Sequence, residues 1–375
     1  MTPRVVVLRG TAANPWELRP WELLHDQGVA DVRLVVPPDN LYDVSSLALP
    51  AVRVRTLGGL MPPGPPGRLI LKAVGQRHLQ LATALEGADL VHAAELGYWF
   101  SRQAAGLKPR LGFRMVLTVW ETIPFVEAYR NVRTRRYRRE VLEATDLFLA
   151  TTERAAEALA LEGASPDRIR VSPPGIDVDR FAAPVSRPAA EGPHLVVSIG
   201  RLVWEKGHQD LLRALALLQR RGRRDVRALV VGTGPEEGRL RAVARDLGVA
   251  DRVELRGFVP HDEVPALLAE ASCLVLASLP TPFWEEQFGM VLTEAMAAGV
   301  PVVASFSGAI PEVVERYGTL FPPGDWVGLA QVLAEGPLSG VPGARATADA
   351  GRLERFTATA AADRLRAAYA AVLGS

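Results

Sequence analysis

Residues 284–300, WEEQFGMVLTEAMAAGV, are the most informative stretch of the chain. They begin with polar residues, turn at Phe288 and Gly289, and continue as an apolar helical pattern that contains one carboxylate, Glu294. Gly299 is placed to end this helix, and residues 300–305 form an apolar run typical of a buried strand. The stretch therefore predicts a loop, a short helix and a buried strand in succession.

The start of this helix is a candidate anion site. The N–H groups of a first helical turn lack partners within the helix, and the helix dipole favours negative charge there. Glu286 precedes the helix and Glu294 lies about one turn inside it, so a phosphate attached to two sugars, as in a nucleotide sugar, would have a carboxylate on each side. A surface glutamate and a partly buried glutamate paired with an arginine explain the same residues equally well, and both interpretations stay open.

Length and composition limit the possible classes of protein. The 375 residues are enough for two domains with separate cores, and a net charge of +1 gives no reason to expect a nucleic-acid partner. A single cysteine, Cys273, excludes an intrachain disulfide and fits a reducing compartment. The apolar run at 5–8 is too short for a signal-peptide core, and no run approaches a transmembrane span. We therefore expect a cytoplasmic location.

The first half of the chain alternates between short apolar runs and helical patterns. The apolar runs lie at 4–8, 32–36, 52–54, 90–92, 115–119 and 147–150, and the helical patterns at about 15–25, 68–85, 97–106, 133–143 and 152–162. This alternation predicts a parallel sheet with helices on both faces. Because ligands bind such sheets beyond the carboxyl ends of the strands, the loops after Leu8, Val91 and Val119 are candidates for a site.

Two segments of the first half have an unusual composition. Residues 61–67, MPPGPPG, predict an extended, turn-rich spacer. Residues 130–139 carry six arginines: Arg130, Arg133, Arg135, Arg136, Arg138 and Arg139. The simpler interpretation is a solvated helix face, and the alternative is a peripheral contact with anionic lipid headgroups or with an acceptor phosphate.

The middle of the chain has the composition of a boundary between domains. Residues 169–177 read as a strand that ends at two prolines and a glycine, and residues 182–194 are rich in Ala, Pro and Arg, as linkers are. Asp177 and Asp179 form a D-x-D pair that can hold a divalent cation, but aspartates after a Pro-Gly turn are ordinary turn residues. The six histidines have no ligand spacing either, so we expect no metal.

The second half repeats the alternation of strands and helices. Strand patterns at 194–199, 226–231 and 253–255 each lead into a loop that contains glycine, at 200–207, 232–238 and 257–263, and a fourth strand at 274–277 precedes the stretch quoted first. The loop at 232–238 has the spacing G-x-G-x-x-x-G, which does not fit the dinucleotide fingerprint, so an NAD-dependent oxidoreductase is disfavoured. A final amphipathic helix covers 357–373.

Arg201 and Lys206 are the candidate cations of this half, since both lie between Gly200 and Gly207. Two cations there can face a diphosphate, and each charge-assisted hydrogen bond would contribute roughly 1.5–3 kcal/mol. The alternative is a pair of surface salt bridges, each worth less than about 1 kcal/mol. Glycines where the backbone has to approach a ligand favour the diphosphate site.

Three motifs together resemble one large enzyme family. G-R-L-x-x-x-K-G at 200–207, V-G-x-G-P at 231–235 and E-x-F-G-x-x-x-x-E-A-M-A-x-G at 286–299 are similar to the retaining glycosyltransferases of family 4. Residues 174–177, PGID, match the interdomain segment of that family. The resemblance is specific over about 170–320 and implies the GT-B fold, with two Rossmann-like domains at 1–180 and 181–356 whose parallel sheets face each other across a cleft, and a C-terminal helix at about 357–375 that packs back on the first domain.

The resemblance also implies roles for individual residues. Arg201 and Lys206 would bind the donor diphosphate, Glu286 the hydroxyls of the transferred sugar, and Glu294 the ribose. The full set of implied donor-binding residues is Gly10, Arg201, Lys206, Gly232, Val259, Glu286, Phe288, Gly289, Met290, Val291 and Glu294. Relatives often carry a histidine followed by an acidic or polar residue after the strand that ends near Val119, whereas this chain has Trp120 and Glu121. Glu121 is therefore the candidate catalytic group there, beside Arg201, Lys206 and Glu286.

The function implied by the family is hexose transfer from a nucleotide-diphosphate sugar to an acceptor hydroxyl. The acceptor would be a glycan, a lipid-linked molecule or a small molecule, and neither a cofactor nor a metal would be needed. Arg201, Lys206 and the helix start would stabilise the departing diphosphate, which could take the acceptor proton during attack on the same face of the sugar. A nucleotide-sugar epimerase, a glycosidase with paired carboxylates and a non-catalytic nucleotide-sugar-binding protein remain as alternatives.

Overall fold

The computed structural model describes residues 2–62, 64–126, 132–182, 192–346 and 350–374. The chain forms two compact units. Unit 1 contains Met1–Asp177 and Arg355–Ser375, and unit 2 contains Val178–Glu354. Arg130 and residues 183–191 of the expected linker lie outside the described residues, and so does the side chain of Arg133.

Unit 1 is built on a seven-stranded parallel sheet. Its strands are β1 (Arg4–Leu8), β2 (Asp31–Val36), β3 (Ala51–Arg53), β4 (Leu90–Ala94), β5 (Arg114–Val119), β6 (Leu147–Ala150) and β7 (Ile169–Val171). The spatial order is β3-β2-β1-β4-β5-β6-β7, and every registered pair is parallel. Strands β4 and β6 are buried at every position, as expected for strands that are covered by helices on both faces.

Helices cover both faces of this sheet. They are α1 (Pro15–Asp26), α2 (Pro65–Val74), α3 (Leu81–Leu85), α4 (Trp99–Leu111), α5 (Val132–Ala144) and α6 (Glu153–Leu161). Further along the chain, α15 (Ala358–Leu373) returns to unit 1 and packs against α1 on one face, with Leu18, Leu24 and Leu365 in the shared core. The opposite face holds Phe100 and Leu159 from α4 and α6.

Unit 2 is built on a six-stranded parallel sheet. Its strands are β8 (His194–Ile199), β9 (Val226–Val231), β10 (Val253–Arg256), β11 (Cys273–Leu276), β12 (Val302–Ser305) and β13 (Thr319–Phe321), in the order β10-β9-β8-β11-β12-β13. Its helices are α7 (Val178–Ala182), α8 (His208–Arg220), α9 (Glu237–Asp246), α10 (Val264–Glu270), α11 (Met290–Ala297), α12 (Ile310–Val314), α13 (Trp326–Glu335) and α14 (Ala350–Glu354). Helices α8, α9 and α13 share one hydrophobic core. Each unit is thus a doubly wound α/β sheet of the kind that the sequence predicts.

The single helix expected at 68–85 is wrong, because the structure has two helices there. Helix α2 begins at Pro65, inside the segment expected to be an extended spacer, since proline suits the first turn of a helix. It ends at Gly75, whose φ of +81° favours glycine and whose missing Cβ leaves room for the ring of Trp99. Gln80 then adopts a left-handed φ of +59° before α3 starts.

The basic segment forms part of α5, and its described arginines differ in exposure. Arg135, Arg136 and Arg139 are exposed, whereas Arg138 is 6% exposed and pairs with Glu162. Arg138 therefore anchors α5 to the end of α6 and is no part of a solvated surface. Among the described helices, none combines the length and the apolar composition that a membrane span requires.

Candidate functional site

The loops that follow the strands of unit 2 meet at the carboxyl edge of its sheet, because all its strands are parallel. The loop after β8 carries Arg201 and Lys206, and the segment after β11 carries Glu286. The backbone N–H of Leu279 donates to the Glu205 carbonyl at 2.7 Å, and the N–H of Ala309 donates to the Glu286 carbonyl at 2.8 Å. The loops after β8, β11 and β12 are therefore bonded into one assembly.

Lys206 and Glu286 form a buried ion pair in this assembly. Lys206 Nζ donates to Glu286 Oε2 at 2.7 Å, and the two side chains are 15% and 8% exposed. Ser278, just beyond β11, donates its hydroxyl to the same oxygen at 2.7 Å. The Lys206 ammonium also lies 5.2 Å from the ring centre of Trp284. Because removal of one partner would leave the other charge buried and unpaired, the geometry of both side chains is strongly constrained.

Glycines allow the site loops to pack against one another. A Cβ on Gly207 would lie 1.8 Å from the Ala277 carbonyl oxygen, and one on Gly232 would lie 2.0 Å from that of Gly200. A Cβ on Gly308 would lie 2.1 Å from the carbonyl oxygen of Glu286. The sequence predicts that Gly207 and Gly232 make room for a ligand. In the structure, all three glycines allow the backbone of one loop to approach the backbone of another.

Helix α11 starts as the motif at 286–299 predicts. Gly289 has a φ of +80° and precedes Met290 without a side-chain cap. Phe288 is buried and anchors the turn, while Met290 and Val291 are half-buried. With no capping side chain at the helix start, the first N–H groups of α11 are suited to an anion.

Glu294 lies in the second turn of α11 and is 6% exposed. Its Oε1 lies 2.8 Å from Nε2 of His261, which belongs to the loop after β10. Val259 of the same loop is half-buried. The alternative interpretation of the sequence predicts an arginine as the partner of Glu294, but the partner is a histidine. An arginine, Arg180, contacts the other side of that imidazole at 3.0 Å.

Arg201 differs from Lys206 in its surroundings. Its side chain is exposed and makes no hydrogen bond or ion pair within the described ranges. Its backbone carbonyl, however, lies 3.2 Å from Nε2 of His208, whose Nδ1 lies 3.0 Å from the Ser198 hydroxyl. Burial lowers the pKa of His208 to about 4, so this imidazole is neutral at neutral pH. His208 thus fixes the backbone of Arg201, while the Arg201 guanidinium stays accessible.

The candidate residues of unit 1 lie at the carboxyl edge of its own sheet. Gly10 packs against Phe100, since a Cβ there would lie 3.0 Å from the ring. Glu121 accepts hydrogen bonds from the N–H groups of Thr122 and Ile123 at 3.0 and 2.9 Å, and burial raises its pKa. Glu121 therefore closes its own turn while keeping a carboxylate at the strand ends.

A second carboxylate lies beside Glu121 and was not predicted. Glu95 follows β4, has a left-handed φ of +60° and accepts a hydrogen bond from the Trp120 N–H at 2.7 Å. Burial raises its pKa to about 7, and the Glu121 carboxylate contributes to the shift. A non-glycine residue with positive φ at a strand end is a frequent sign of a functional site.

The site in unit 2 brings together residues far apart in the sequence. Lys206 and Glu286 are in direct contact, whereas Gly10 and Glu121 belong to unit 1. Sequence reasoning missed Ser278, His261, His208 and Glu95. Ser278 and Glu95 follow predicted strands, which was a usable signal. The pairing of His261 with Glu294 depends on tertiary packing alone.

Two family models match adjoining parts of the chain. The model described as Glycosyltransferase Family 4 matches residues 22–180, and the model described as Glycosyl transferases group 1 matches residues 179–335. The second match contains every candidate residue of unit 2.

Two curated glycosyltransferases are similar in sequence to about half of the chain. The 2-deoxystreptamine glucosyltransferase of Streptomyces kanamyceticus is 33% identical over 211 residues, which is 53% of this chain and 53% of that protein. The GDP-mannose-dependent alpha-(1-6)-phosphatidylinositol monomannoside mannosyltransferase of Mycobacterium tuberculosis is 38% identical over 194 residues, 48% of this chain and 49% of that protein. The chain thus spans about half the length of these curated relatives.

Solved structures extend the likeness to the whole fold. The crystal structure of HepE from Anabaena in complex with UDP and glucose has a TM-score of 0.78 at 20% identity and covers 98% of this chain and 100% of that chain.

Proposed function

The chain belongs to the glycosyltransferases of group 1 and family 4 and has the GT-B fold, and we propose that it transfers a hexose from a nucleotide-diphosphate sugar to an acceptor hydroxyl. The named relatives are a glucosyltransferase and a GDP-mannose-dependent mannosyltransferase, which supports a hexose as the transferred group. The acceptor is a glycan, a lipid-linked molecule or a small molecule.

The buried pair of Lys206 and Glu286 is the observation that carries this proposal. Both side chains lie at the carboxyl edge of the unit 2 sheet, where ligands of doubly wound folds bind. An ammonium group has three N–H donors, so Lys206 can donate to a phosphate oxygen while it still donates to Glu286. One contact thus couples the group that would bind the diphosphate to the group that would bind the sugar.

Other residues of the site would contact the remaining parts of the donor. Arg201, whose guanidinium is exposed, joins Lys206 on the diphosphate together with the N–H groups at the start of α11. The backbone of 288–291 and the loop at Gly232 border the sugar and the phosphates. Glu294 binds the ribose, and Val259 borders the base.

The chemistry needs stabilisation of separated charge. When the sugar–phosphate bond breaks, positive charge grows on the sugar ring and negative charge grows on the departing diphosphate. Arg201, Lys206 and the start of α11 stabilise the diphosphate, and each such group is typically worth about 10²–10³ in rate. The departing phosphate then takes the acceptor proton during attack on the same face, which retains the configuration without a metal or a covalent intermediate.

A ligand screen followed by a product assay tests the proposal. Thermal unfolding is measured with UDP-, GDP-, ADP- and dTDP-sugars, and the stabilising donor is then incubated with and without candidate acceptors. We expect one donor to raise the unfolding temperature, and its diphosphate to be released when the acceptor is glycosylated.

The same experiment separates the competing functions. An epimerase would change the sugar while the diphosphate stays attached, and a binding protein would be stabilised by the donor without turnover. Either result would contradict the proposed transfer, as would the absence of binding to any sugar nucleotide.

A further inference from the structure

Glu294 is held by a histidine that the family motifs do not include. The carboxylate lies on the otherwise apolar helix α11, and its Oε1 lies 2.8 Å from Nε2 of His261. His261 begins a short 3-10 turn, His261–Glu263, that follows β10. Its side chain is 26% exposed and that of Glu294 is 8% exposed, so the contact forms at the inner edge of the site.

The partners of His261 determine which ring nitrogen carries the proton. Nη1 of Arg180 lies 3.0 Å from Nδ1 of His261. A guanidinium can only donate, so Nδ1 accepts from Arg180 and the proton of a neutral ring is on Nε2. Nε2–H therefore donates to Glu294. These two hydrogen bonds form a relay that runs from Arg180 through His261 to Glu294. The relay fixes the orientation of the imidazole ring.

Two further contacts hold the ring in place. Arg180 Nη2 donates to the backbone carbonyl of His261, and the ring of Phe181 meets the imidazole edge-on at 5.9 Å between centres. Arg180 and Phe181 both belong to α7, which packs against α11. Helix α7, the loop after β10 and α11 are thereby connected through one imidazole.

The relay occupies one oxygen of Glu294 and leaves the other for a ligand. Oε1 accepts from His261, and within the described ranges no protein group donates to Oε2. A carboxylate with one oxygen fixed cannot rotate freely, so the direction in which Oε2 accepts is set in advance. A hydroxyl group that donates along this direction would bind without a cost of ordering the carboxylate.

We propose that His261 is a positioning residue that aims the carboxylate of Glu294 at the ribose hydroxyls of the donor and so sets the preference for ribonucleotides over 2′-deoxyribonucleotides. This inference rests on the proposed function and deepens it. His261 itself does not touch the ribose, and it acts through Glu294.

A double-mutant cycle between the protein and the ligand tests this role. The dissociation constants of UDP and GDP, and of dUDP and dGDP, are measured by calorimetry for the wild-type protein, His261→Ala and His261→Gln. A hydrogen bond to a charged group is worth roughly tenfold to a hundredfold in affinity, so we expect the wild type to prefer the ribose form by that factor. His261→Ala should reduce the preference to less than about threefold, and His261→Gln should retain part of it.

Two variants separate positioning from a general effect on folding. Arg180→Met removes the donor to Nδ1 and should weaken the ribose preference while the protein remains folded. Glu263→Gln changes an exposed residue of the same 3-10 turn and should leave the preference unchanged. In turnover, His261→Ala should raise KM for the donor more than it lowers kcat, because it weakens binding of a part of the donor that does not react.

The outcomes distinguish the inference from the function it rests on. A wild-type preference that persists in His261→Ala, or equal binding of the ribose and deoxyribose forms by the wild type, would overturn the role of His261 while nucleotide binding stands. Failure to bind any nucleoside diphosphate would overturn the proposed function and this inference with it.

Discussion

Glu286 makes hydrogen bonds with Lys206 and Ser278 inside the protein. An amide at position 286 keeps the size of the side chain and can still accept from both donors, but it lacks the charge. The effect of that one change therefore reports on the charge of Glu286 inside a site that is otherwise assembled.

We predict that Glu286→Gln keeps the fold and lowers transfer about 10²–10³-fold, the range found when one electrostatic stabiliser is removed. The rate of product formation at saturating donor measures the effect. Glu335→Gln, at an exposed position of α13, is the matched control and should keep wild-type activity. Product formation by Glu286→Gln at close to the wild-type rate would remove Glu286 from the active site.

Glu95 makes the stability of unit 1 depend on pH. Burial raises its pKa from 4.5 to about 7, so the native state holds a proton that the unfolded state has already lost between these values. Because the native state binds more protons there, stability falls as pH rises from about 4.5 to about 7. The shift corresponds to at most about 3 kcal/mol.

We predict that Glu95→Gln removes this dependence of stability on pH. The free energy of unfolding, measured with urea, should rise in the variant relative to the wild type as pH increases from 5 to 7.5, and the two should approach each other near pH 4.5. A difference between the proteins that does not change with pH would contradict the assignment.

At the scale of elements, the two ends of α8 make a controlled comparison. Gly207 precedes the helix with a φ of +68°, and Gly222 follows it with a φ of +88°. A Cβ on Gly207 would strike the Ala277 carbonyl oxygen at 1.8 Å, whereas one on Gly222 would meet nothing within 4 Å. Only the first glycine adds a backbone contact to the conformational requirement.

We predict that Gly222→Ala costs about 1–2 kcal/mol, from the left-handed conformation alone, and that Gly207→Ala costs more. Gly207→Ala should also weaken donor binding, because the neighbouring Lys206 must shift with the loop. Urea unfolding and donor titration measure the two effects. Equal destabilisation by both variants would show that the contact with Ala277 contributes nothing.

At the scale of the whole molecule, the chain returns to unit 1 through α15. Tyr369 of α15 is 3% exposed, and its hydroxyl accepts a hydrogen bond from Trp21 Nε1 at 2.7 Å. The same hydroxyl lies 2.6 Å from Nδ1 of His92, whose Nε2 lies 2.7 Å from the Thr118 hydroxyl. Burial lowers the pKa of His92 and raises that of Tyr369, so both groups are neutral links in this network.

We predict that Tyr369→Phe destabilises the protein by about 1–3 kcal/mol, because Trp21 and His92 lose a partner inside the core. Thermal and urea unfolding measure the loss. Tyr42→Phe, at an exposed tyrosine, is the control and should be close to neutral. An unchanged stability in Tyr369→Phe would mean that water replaces the hydroxyl in this network.

Much of this architecture could be predicted from the sequence because it is local. Buried parallel strands such as β4 and β6 are short apolar runs, and the loops that follow them lie at one edge of the sheet by geometry. The motifs also placed Lys206 and Glu286 in one site. Their 2.7 Å contact joins residues 80 apart and depends on the packing of three loops, which no local pattern specifies.

Other features lay outside the reach of local patterns for identifiable reasons. The split between α2 and α3 depends on the space that the Trp99 ring takes beside Gly75, and the pairing of Glu294 with His261 depends on α7 packing against α11. The glycines near the site were assigned to ligand approach, although their nearest neighbours are carbonyl groups of adjacent loops.

The most direct test of the proposed donor site is a crystal structure of the protein with its donor or the corresponding nucleoside diphosphate. We predict that the diphosphate lies within hydrogen-bonding distance of Lys206 and the first N–H groups of α11, with the Arg201 guanidinium turned towards it and the ribose hydroxyls on Glu294. A nucleotide bound at any other place in the molecule, with Lys206 and Glu294 free of contact to it, would contradict the account.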